Sequence, residues 1–327
     1  MRTLRHLALA LAWACSLIAG VFVLLYVLPE AQASTSWVAM AAAFIPYGIL
    51  LWLVALVLFL VAGRRWTRVL AFPALVALVI QLGWARPYWP GVPQPDAPGT
   101  PVTVLSANVR LGEADPASLA RAIEAADPDV VVVVEASEPF VGSAALAGVL
   151  ADRPHRVGGA APGHGPAHPH DASGTVIFSR FALTEVAKVP SAFDQYVVAV
   201  GAGPTPLTLV AVHPRNMMSG AAAWEREGAI LRDAVRPHLS EPLALVGDFN
   251  ATPEHLTLRW LLDAGLGLGS QEAGAGWQPT FRAGMAIPTL VAIDHVLTND
   301  RVTTRSYETA RIEGSDHLAV VARLVYR

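Results

Sequence analysis

The sequence predicts an α/β domain carried behind three transmembrane helices, and three observations point that way. The first 90 of the 327 residues hold three long apolar runs, which explain a hydrophobic fraction of 54%. Beyond residue 100, short β-branched runs alternate with amphipathic stretches, as strands alternate with helices. Several of the apolar runs stop at Asp, Glu, Asn or His, so polar groups collect at strand ends.

Leu7 to Leu28 and Trp37 to Ala62 carry no charge, while Val69 to Trp84 is shorter and runs into Arg86-Pro87-Tyr88-Trp89-Pro90. A bilayer core takes about 20 apolar residues per helix. Spans are therefore expected at about 7–28, 37–62 and 69–86, making residues 1–90 a membrane region. Trp37, Trp66, Trp84, Tyr88 and Trp89 fall where interface aromatics belong. A cleaved signal peptide is the competing reading of the first run, with Arg2 and Arg5 ahead of it and Ala31-Gln32-Ala33 as the cleavage site. Arg2 and Arg5 precede span one, and Arg64, Arg65 and Arg68 separate spans two and three. The positive-inside rule places both groups in the cytoplasm, so three crossings leave everything after about residue 90 outside the cell membrane. If the third run failed to cross, that domain would be cytoplasmic. The single cysteine, Cys15, lies inside span one, so the domain must draw its stability from its core.

Charge narrows the class of partner. Six of the 23 Lys+Arg and two of the 26 Asp+Glu precede residue 100, leaving 17 basic and 24 acidic residues, a net of about −7, for the domain. That balance argues against a nonspecific grip on nucleic acid, which relies on Lys and Arg neutralising phosphates. Clustered acids are also what a divalent-cation site looks like in sequence.

Residues 91–101, rich in Pro and Gly, read as a stiff linker, and residues 102–327 as the domain. Val102 to Arg110 alternates as a strand and presents Asn108. Asp115 and Pro116 open a helix to about Ala126. Five valines then end at Glu135, a strand buried on both faces. Gly174 to Arg180 and Pro206 to His213 are further strands, and Ser219 to about His238 is a helix with Trp224, Ile230 and Leu231 on one side. Leu243 to Pro253 is the centre of the pattern: an apolar strand ends in Gly247-Asp248-Phe249-Asn250, and side chains two apart share a face. A short helix near Glu254 to Asp263, a Gly-rich loop to Gly276 and the aromatic segment Trp277 to Phe281 follow. Strands near Leu290 to Thr298, Val302 to Tyr307 and His317 to Tyr326 close the chain.

Taken singly, these polar residues have ordinary readings: an Asx turn at Asp248 and Asn250, a polar strand terminus at Glu135, an ion pair at Asp294, a satisfied histidine at His317. Taken together, Asn108, Glu135, His213, Asp248, Asn250, Asp294 and His317 all stand at strand ends. The loop from Gly158 to Asp171, with His164, His168 and His170, reads as a mobile lid by its Gly and Pro content, a zinc site being the alternative.

The ordered set Ser106-Ala107-Asn108-Val109, the valine run to Glu135, Ser173-Gly174-Thr175, Val212-His213, Gly247-Asp248-Phe249-Asn250, Ile293-Asp294-His295-Val296 and Ser315-Asp316-His317 resembles the endonuclease/exonuclease/phosphatase superfamily of metal-dependent phosphoesterases. The resemblance spans about residues 100–327. It implies a four-layer sandwich, two mixed β-sheets flanked by helices, with the site at one end. It implies roles as well: Glu135, with Asn108 and Asp316 beside it, holding Mg²⁺ or Mn²⁺; Asp248 positioning the attacking water; Asn250 and His213 contacting the phosphoryl group; and His317, oriented by Asp294, stabilising its oxygens. Such chemistry needs these types, because in-line attack on phosphate builds charge that metals and donors must stabilise. Val134 stands where the family often has Gln before the metal Glu, and the basic loops of DNA-directed branches are missing. Three spans ahead of the domain look like a membrane-anchored bacterial subgroup associated with teicoplanin-type glycopeptide resistance. The expected function is hydrolysis of a phosphate or pyrophosphate ester on a cell-envelope lipid such as undecaprenyl diphosphate, with the bilayer as partner and no protein partner implied. A membrane-anchored extracellular nuclease and a noncatalytic lipid- or glycopeptide-binding module are the alternatives.

Overall fold

Five consecutive valines with no polar break can be satisfied only by burial on both faces, and the computed structural model of the chain shows all five buried. It describes residues 2–62, 65–92, 98–163, 171–284 and 288–327. Twelve strands are seen among them: β1 (Thr100–Asn108), β2 (Val130–Val134), β3 (His155–Gly159), β4 (Thr175–Ser179), β5 (Leu183–Lys188), β6 (Tyr196–Val200), β7 (Leu207–Val212), β8 (Leu243–Asp248), β9 (Gly267–Leu268), β10 (Asp294–Thr298), β11 (Val302–Arg311) and β12 (Leu318–Tyr326). They form two mixed six-stranded sheets, ordered β11-β12-β1-β2-β4-β3 and β5-β6-β7-β8-β10-β9. β1 and β2 run parallel, as do β7 and β8; the other pairings are antiparallel.

The inner faces interdigitate in a core that includes Val102, Val132, Leu209, Val246 and Leu324. On the outer face of the first sheet, Leu119 and Ile123 of the helix Pro116–Ala126 cover Leu105 and Val131. That helix starts where expected, with Asp115 accepting from the backbone N–H groups of Ala117 and Ser118. On the outer face of the second, Leu231 and Val235 of the helix Ala221–Val235 and Leu258 and Leu261 of the helix Leu256–Asp263 cover Leu243 and Leu245. The result is the expected four-layer sandwich. β3, β5, β6 and the two-residue β9, which falls in the expected Gly-rich loop, are additions to the sequence reading, and Gly158 and Gly159 belong to β3. The His164, His168 and His170 of the expected lid or zinc site lie outside the described residues, as do residues 93–97 of the expected linker.

Three segments, Arg2–Val27, Ile45–Ala62 and Arg65–Trp84, are long and apolar enough to cross a membrane. Small residues mediate their packing, Ala12, Ala55, Ala71 and Ala74 being buried around Phe59, while Leu4, Leu7, Leu17 and Val61 point outward. The second of these segments starts later than the apolar run. Helix Ser36–Ala42 ends at Ala43, Pro46 supplies no N–H, and a one-turn 3₁₀ segment, Ile45–Tyr47, re-aims the chain into the helix Gly48–Ala62. Residues 36–42 instead lie on the domain, where Ala39 packs with Trp224 and Leu256.

That contact is one of many between the membrane region and the domain. Gln32 is fully buried; its Oε1 accepts from Leu256 N–H, and its Nε2 donates to the carbonyls of Leu25 and Glu254. Arg259 donates to the Tyr26 carbonyl at 2.6 Å and lies over the Tyr26 ring. Tyr47 Oη donates to the Leu290 carbonyl at 2.6 Å, and Tyr88 Oη reaches both carboxylate oxygens of Glu254 at 2.7 and 2.8 Å. The domain is docked on the membrane region through specific polar contacts.

Candidate active site

The topology brings the polar strand ends to one place. β1 pairs parallel with β2, so Asn108 lies opposite Val134, and Glu135 follows one residue on. β7 pairs parallel with β8 with Val212 opposite Gly247, which sets His213 beside Asp248. β10 pairs antiparallel with β8, so Asp294 is directly across from Asp248. His317 precedes β12, the antiparallel neighbour of β1. Gly247 makes the close strand approach possible: a Cβ there would lie 2.0 Å from the Val212 carbonyl oxygen, at a φ of +152°. Just beyond their strands, Glu135 and Asn250 take left-handed backbone conformations, φ +54° and +48°, as do Arg110 and Leu111 after Asn108. Such non-glycine residues concentrate at functional sites.

Asn108 sits between two carboxylates, donating from Nδ2 to Glu135 Oε1 at 2.9 Å and to Asp248 Oδ2 at 3.0 Å, while its Oδ1 accepts from Arg110 N–H. The left-handed turn aims Leu111 N–H at Glu135 Oε2, 2.8 Å away. His213 Nε2 lies 3.6 Å from Glu135 Oε1. Asp248 Oδ1 accepts from Asn250 N–H at 2.8 Å, and Asn250 Nδ2 donates to the Pro214 carbonyl. His317 Nδ1 donates to Asp294 Oδ2 at 2.9 Å, and its Nε2 points toward Asp248 Oδ2 at 3.8 Å.

The electrostatics separate these groups by role. Burial works to raise the Glu135 pKa, but the hydrogen bond and charge of His213, the Asn108 amide and the His317 charge outweigh it and hold the carboxyl at about 2. Asp248 goes the other way, pushed up to about 6 by burial and by Asp294 across the strand pair, against the pull of His317 and His213. Burial opposes charge on His317 as well; the charges of Asp294 and Asp248 overcome it and lift the imidazole to about 10. At neutral pH the site therefore holds an ionised Glu135, an Asp248 close to its titration point and an imidazolium at His317. Carboxyl groups pushed apart in this way are the usual mark of divided acid and base roles.

The structure brings together Asn108, Glu135, His213, Asp248, Asn250, Asp294 and His317. Asp316 is placed at the edge: its charge acts on His317 and its carbonyl accepts from Ala283 N–H, but it belongs to neither compact acid–histidine group. Those groups, among the described residues, are Glu135–His213–Asp248 and Asp248–Asp294–His317, each with ligand atoms within 4.8 Å of one another. They share Asp248, and their oxygen-rich donor set suits a hard divalent cation. Buried Asp248 and Asp294 beside half-buried Glu135 also leave negative charge for a cation to balance.

Other residues hold the site without announcing themselves in sequence. Fully buried Thr280 accepts through Oγ1 from the N–H groups of Ile293 and Asp294. Ser315 Oγ donates to the Asn108 carbonyl and accepts from His317 N–H, tying two strand ends together. The ring of Phe193 stacks on His213 at 4.9 Å, and Gln195 Oε1 accepts from His213 N–H. Buried His295, its pKa lowered by desolvation, donates to the Ala251 carbonyl and fixes the loop carrying Asn250. Ser315 alone had a local signal, its place in the Ser-Asp-His triplet.

Comparison with known proteins gives the geometry its context. A family model described as "Endonuclease/Exonuclease/phosphatase family" matches residues 105–317. A comparison with curated protein sequences returns no match. Solved structures do match. An endonuclease/exonuclease/phosphatase from Beutenbergia cavernae DSM 12333 shares 23% identity, with a TM-score of 0.56 over 69% of this chain and 72% of that one. A mannosyl-6-phosphatase from Bacteroides thetaiotaomicron VPI-5482 shares 15% identity at a TM-score of 0.50, over 69% of this chain and all of that one. D. rerio TDP2, solved with a single-strand DNA product, shares 15% identity at a TM-score of 0.51, over 69% of this chain and 99% of that one. At these identities the structures establish a shared fold.

Proposed function

The chain belongs to the Endonuclease/Exonuclease/phosphatase family, and on that premise we propose that it is a membrane-anchored phosphoesterase acting on a cell-envelope lipid. The bond cut is a phosphate or pyrophosphate ester, undecaprenyl diphosphate being a suitable substrate, and the cofactor is Mg²⁺ or Mn²⁺. One observation carries this reading: the loop that presents the site is also the loop docked on the membrane region. Asp248 and Asn250 lead directly into Glu254, His255 and Leu256, which bond to Tyr88, Ala39 and Gln32. A phosphate held at the site is therefore held at the side of the domain that meets the membrane region. The domain's net charge of about −7 supports a small phosphate group over a polyanion.

Glu135, with Asn108 and Asp316, would hold the cation, which supplies Lewis-acid polarisation of the phosphoryl oxygen. The remaining steps belong to side chains. Asp248, poised near 6, orients the attacking water and takes its proton. His317, charged and fixed through Nδ1 by Asp294, donates from Nε2 to the phosphoryl oxygens as charge builds. Asn250 and His213 contact the phosphoryl group from either side. By the distribution of arginines around the three spans the site is extracytoplasmic, and a role in glycopeptide resistance follows from lipid-linked wall precursors being its substrates.

The test is phosphate release by the full chain in lipid nanodiscs with Mg²⁺ or Mn²⁺, offered undecaprenyl diphosphate, a phospholipid and single- and double-stranded DNA, with Asp248→Ala as control. Lipid turnover lost in the variant is the expected result. DNA cleavage without lipid turnover would sink it in favour of an anchored nuclease. Binding without turnover, unaffected in the variant, would make the domain a lipid- or glycopeptide-binding module.

A further inference from the structure

A cavity of about 430 Å³ lies against the site, within the roughly 300–1,000 Å³ typical of small-molecule pockets. Its walls come from two parts of the chain. Met40, Ala43 and Phe44, immediately ahead of the second span, form one side; Met217, Phe281 and Leu290 of the domain contribute to the other. Its inner end is the catalytic cluster. Asn250 lines it, Ile293 lines it one residue before Asp294, and the Phe281 ring stands 4.9 Å from the His317 ring. Arg282 also lines the cavity, a cation suited to a phosphate.

Two features identify the occupant. The walls are dominated by methionine, aromatic and branched aliphatic side chains, and thioether chains adapt to flexible hydrocarbon better than to polar groups. The cavity also reaches Asn250 at one end and, at the other, Phe44, the residue just ahead of the second apolar span. We propose that it takes the first part of the hydrocarbon chain of a phosphorylated lipid, the phosphate lying against Asp248 and His317 and the tail running between Met40 and Leu290 toward the bilayer. This rests on the phosphoesterase reading and narrows its substrate to long-chain esters. The membrane region is then part of the substrate site as well as an anchor.

The proposal is tested by binding, using non-hydrolysable phosphonates and the full chain in phosphatidylcholine nanodiscs. Affinities for farnesyl phosphonate and butyl phosphonate are measured for the native chain and for Met40→Trp and Leu290→Trp, both positions being half-buried. Each buried methylene is worth about fourfold in affinity, so a ring that displaces two of them should cut the farnesyl-to-butyl ratio by at least roughly tenfold. Because both ligands enter the same bilayer, an unchanged ratio overturns the proposal. If the variants fail to fold, a diazirine placed in the tail is photolysed in the native chain. Labelling at 40–44, 217–218 and 288–293 supports the cavity, and labelling confined to the lipid-facing spans overturns it. Failure of the phosphoesterase reading shows differently, as no phosphate release from lipid by the native chain, or as release that Asp248→Ala does not abolish.

Discussion

His255 provides a direct test of whether the membrane region and the domain are one cooperative structure. The side chain is fully buried, and both ring nitrogens are committed: Nδ1 accepts from Thr252 N–H at 2.7 Å, so the proton sits on Nε2, which donates to the Ala39 carbonyl at 2.9 Å. A second proton would put N–H against N–H at Thr252. Burial accordingly depresses its pKa to about 4, against an ordinary value of 6.5. The unfolded chain therefore binds more protons, and stability is complete above pH 6.5 and lost as pH falls toward 4. Between those two values the linkage relation gives a loss of about 2 kcal/mol at pH 5, approaching about 3 kcal/mol at pH 4. The assay is thermal unfolding of the native chain and His255→Gln in nanodiscs from pH 7.5 to 4.5. Other carboxylates and His295 titrate in both proteins, so the difference between the two curves isolates this residue. The advantage of the native chain should shrink by about 2 kcal/mol on going from neutral pH to pH 5. Parallel curves would refute the burial and tautomer argument, and with it the docking of residues 36–42 on the domain.

Three further outcomes follow from the site and its scaffold. Asp294→Asn removes the charge that keeps His317 protonated, so phosphate release should fall by roughly 10²- to 10⁴-fold and its alkaline limit should move to lower pH; a pH–rate profile checks both. Stripping divalent cations should abolish phosphate release and also lower the melting temperature, since a cation at a hundred times its Kd stabilises the fold by about 2.7 kcal/mol; calorimetry with and without Mg²⁺ reads this without turnover. Gly247→Ala would push a Cβ to 2.0 Å from the Val212 carbonyl oxygen at a φ of +152°, which should cost more than about 1 kcal/mol, and an undiminished melting temperature would contradict the packing of β7 on β8.

Much of the site was legible because its signals are local. A buried strand that ends on Asp, Glu or Asn shows in a few residues, as Val130–Glu135 and Leu243–Asn250 do, and parallel or antiparallel pairing then gathers those ends at one edge. Weak signals account for two of the strands added by the structure, though not for β6, whose Tyr196–Val200 is a buried apolar run. β5 is an exposed edge strand carrying Glu185 and Lys188, and β3 is half-exposed and glycine-rich, so neither presents the apolar run of a buried strand. The apolar stretch 37–62 is divided for a different reason. Ala39 faces Trp224 and Leu256 where later residues such as Leu50 and Val61 are exposed on an apolar helix, and hydropathy scores the two environments alike.

The docking of membrane region on domain was hidden more deeply, and the cause is chemical. Its hydrogen bonds run mostly from a side chain on one part to a backbone carbonyl on the other: His255 to Ala39, Arg259 to Tyr26, Tyr47 to Leu290, Gln32 to Glu254. A carbonyl is offered by every residue, so the accepting position leaves no trace in its amino-acid identity, and only the donor can be read. It follows that Ala39 is constrained by size and by the path of its backbone. Ala39→Ser, which keeps the carbonyl and adds a single oxygen, should preserve the hydrogen bond and the burial of His255, whereas Ala39→Leu should crowd Trp224, whose ring packs on His255, and open the imidazole to water. The distinguishing measurement is the pH dependence of unfolding: the serine variant should retain the acid-sensitive step of the native chain, and the leucine variant should lose it as His255→Gln does. If the leucine variant kept the step, residue 39 would not be part of the packing that buries His255 and so holds it neutral.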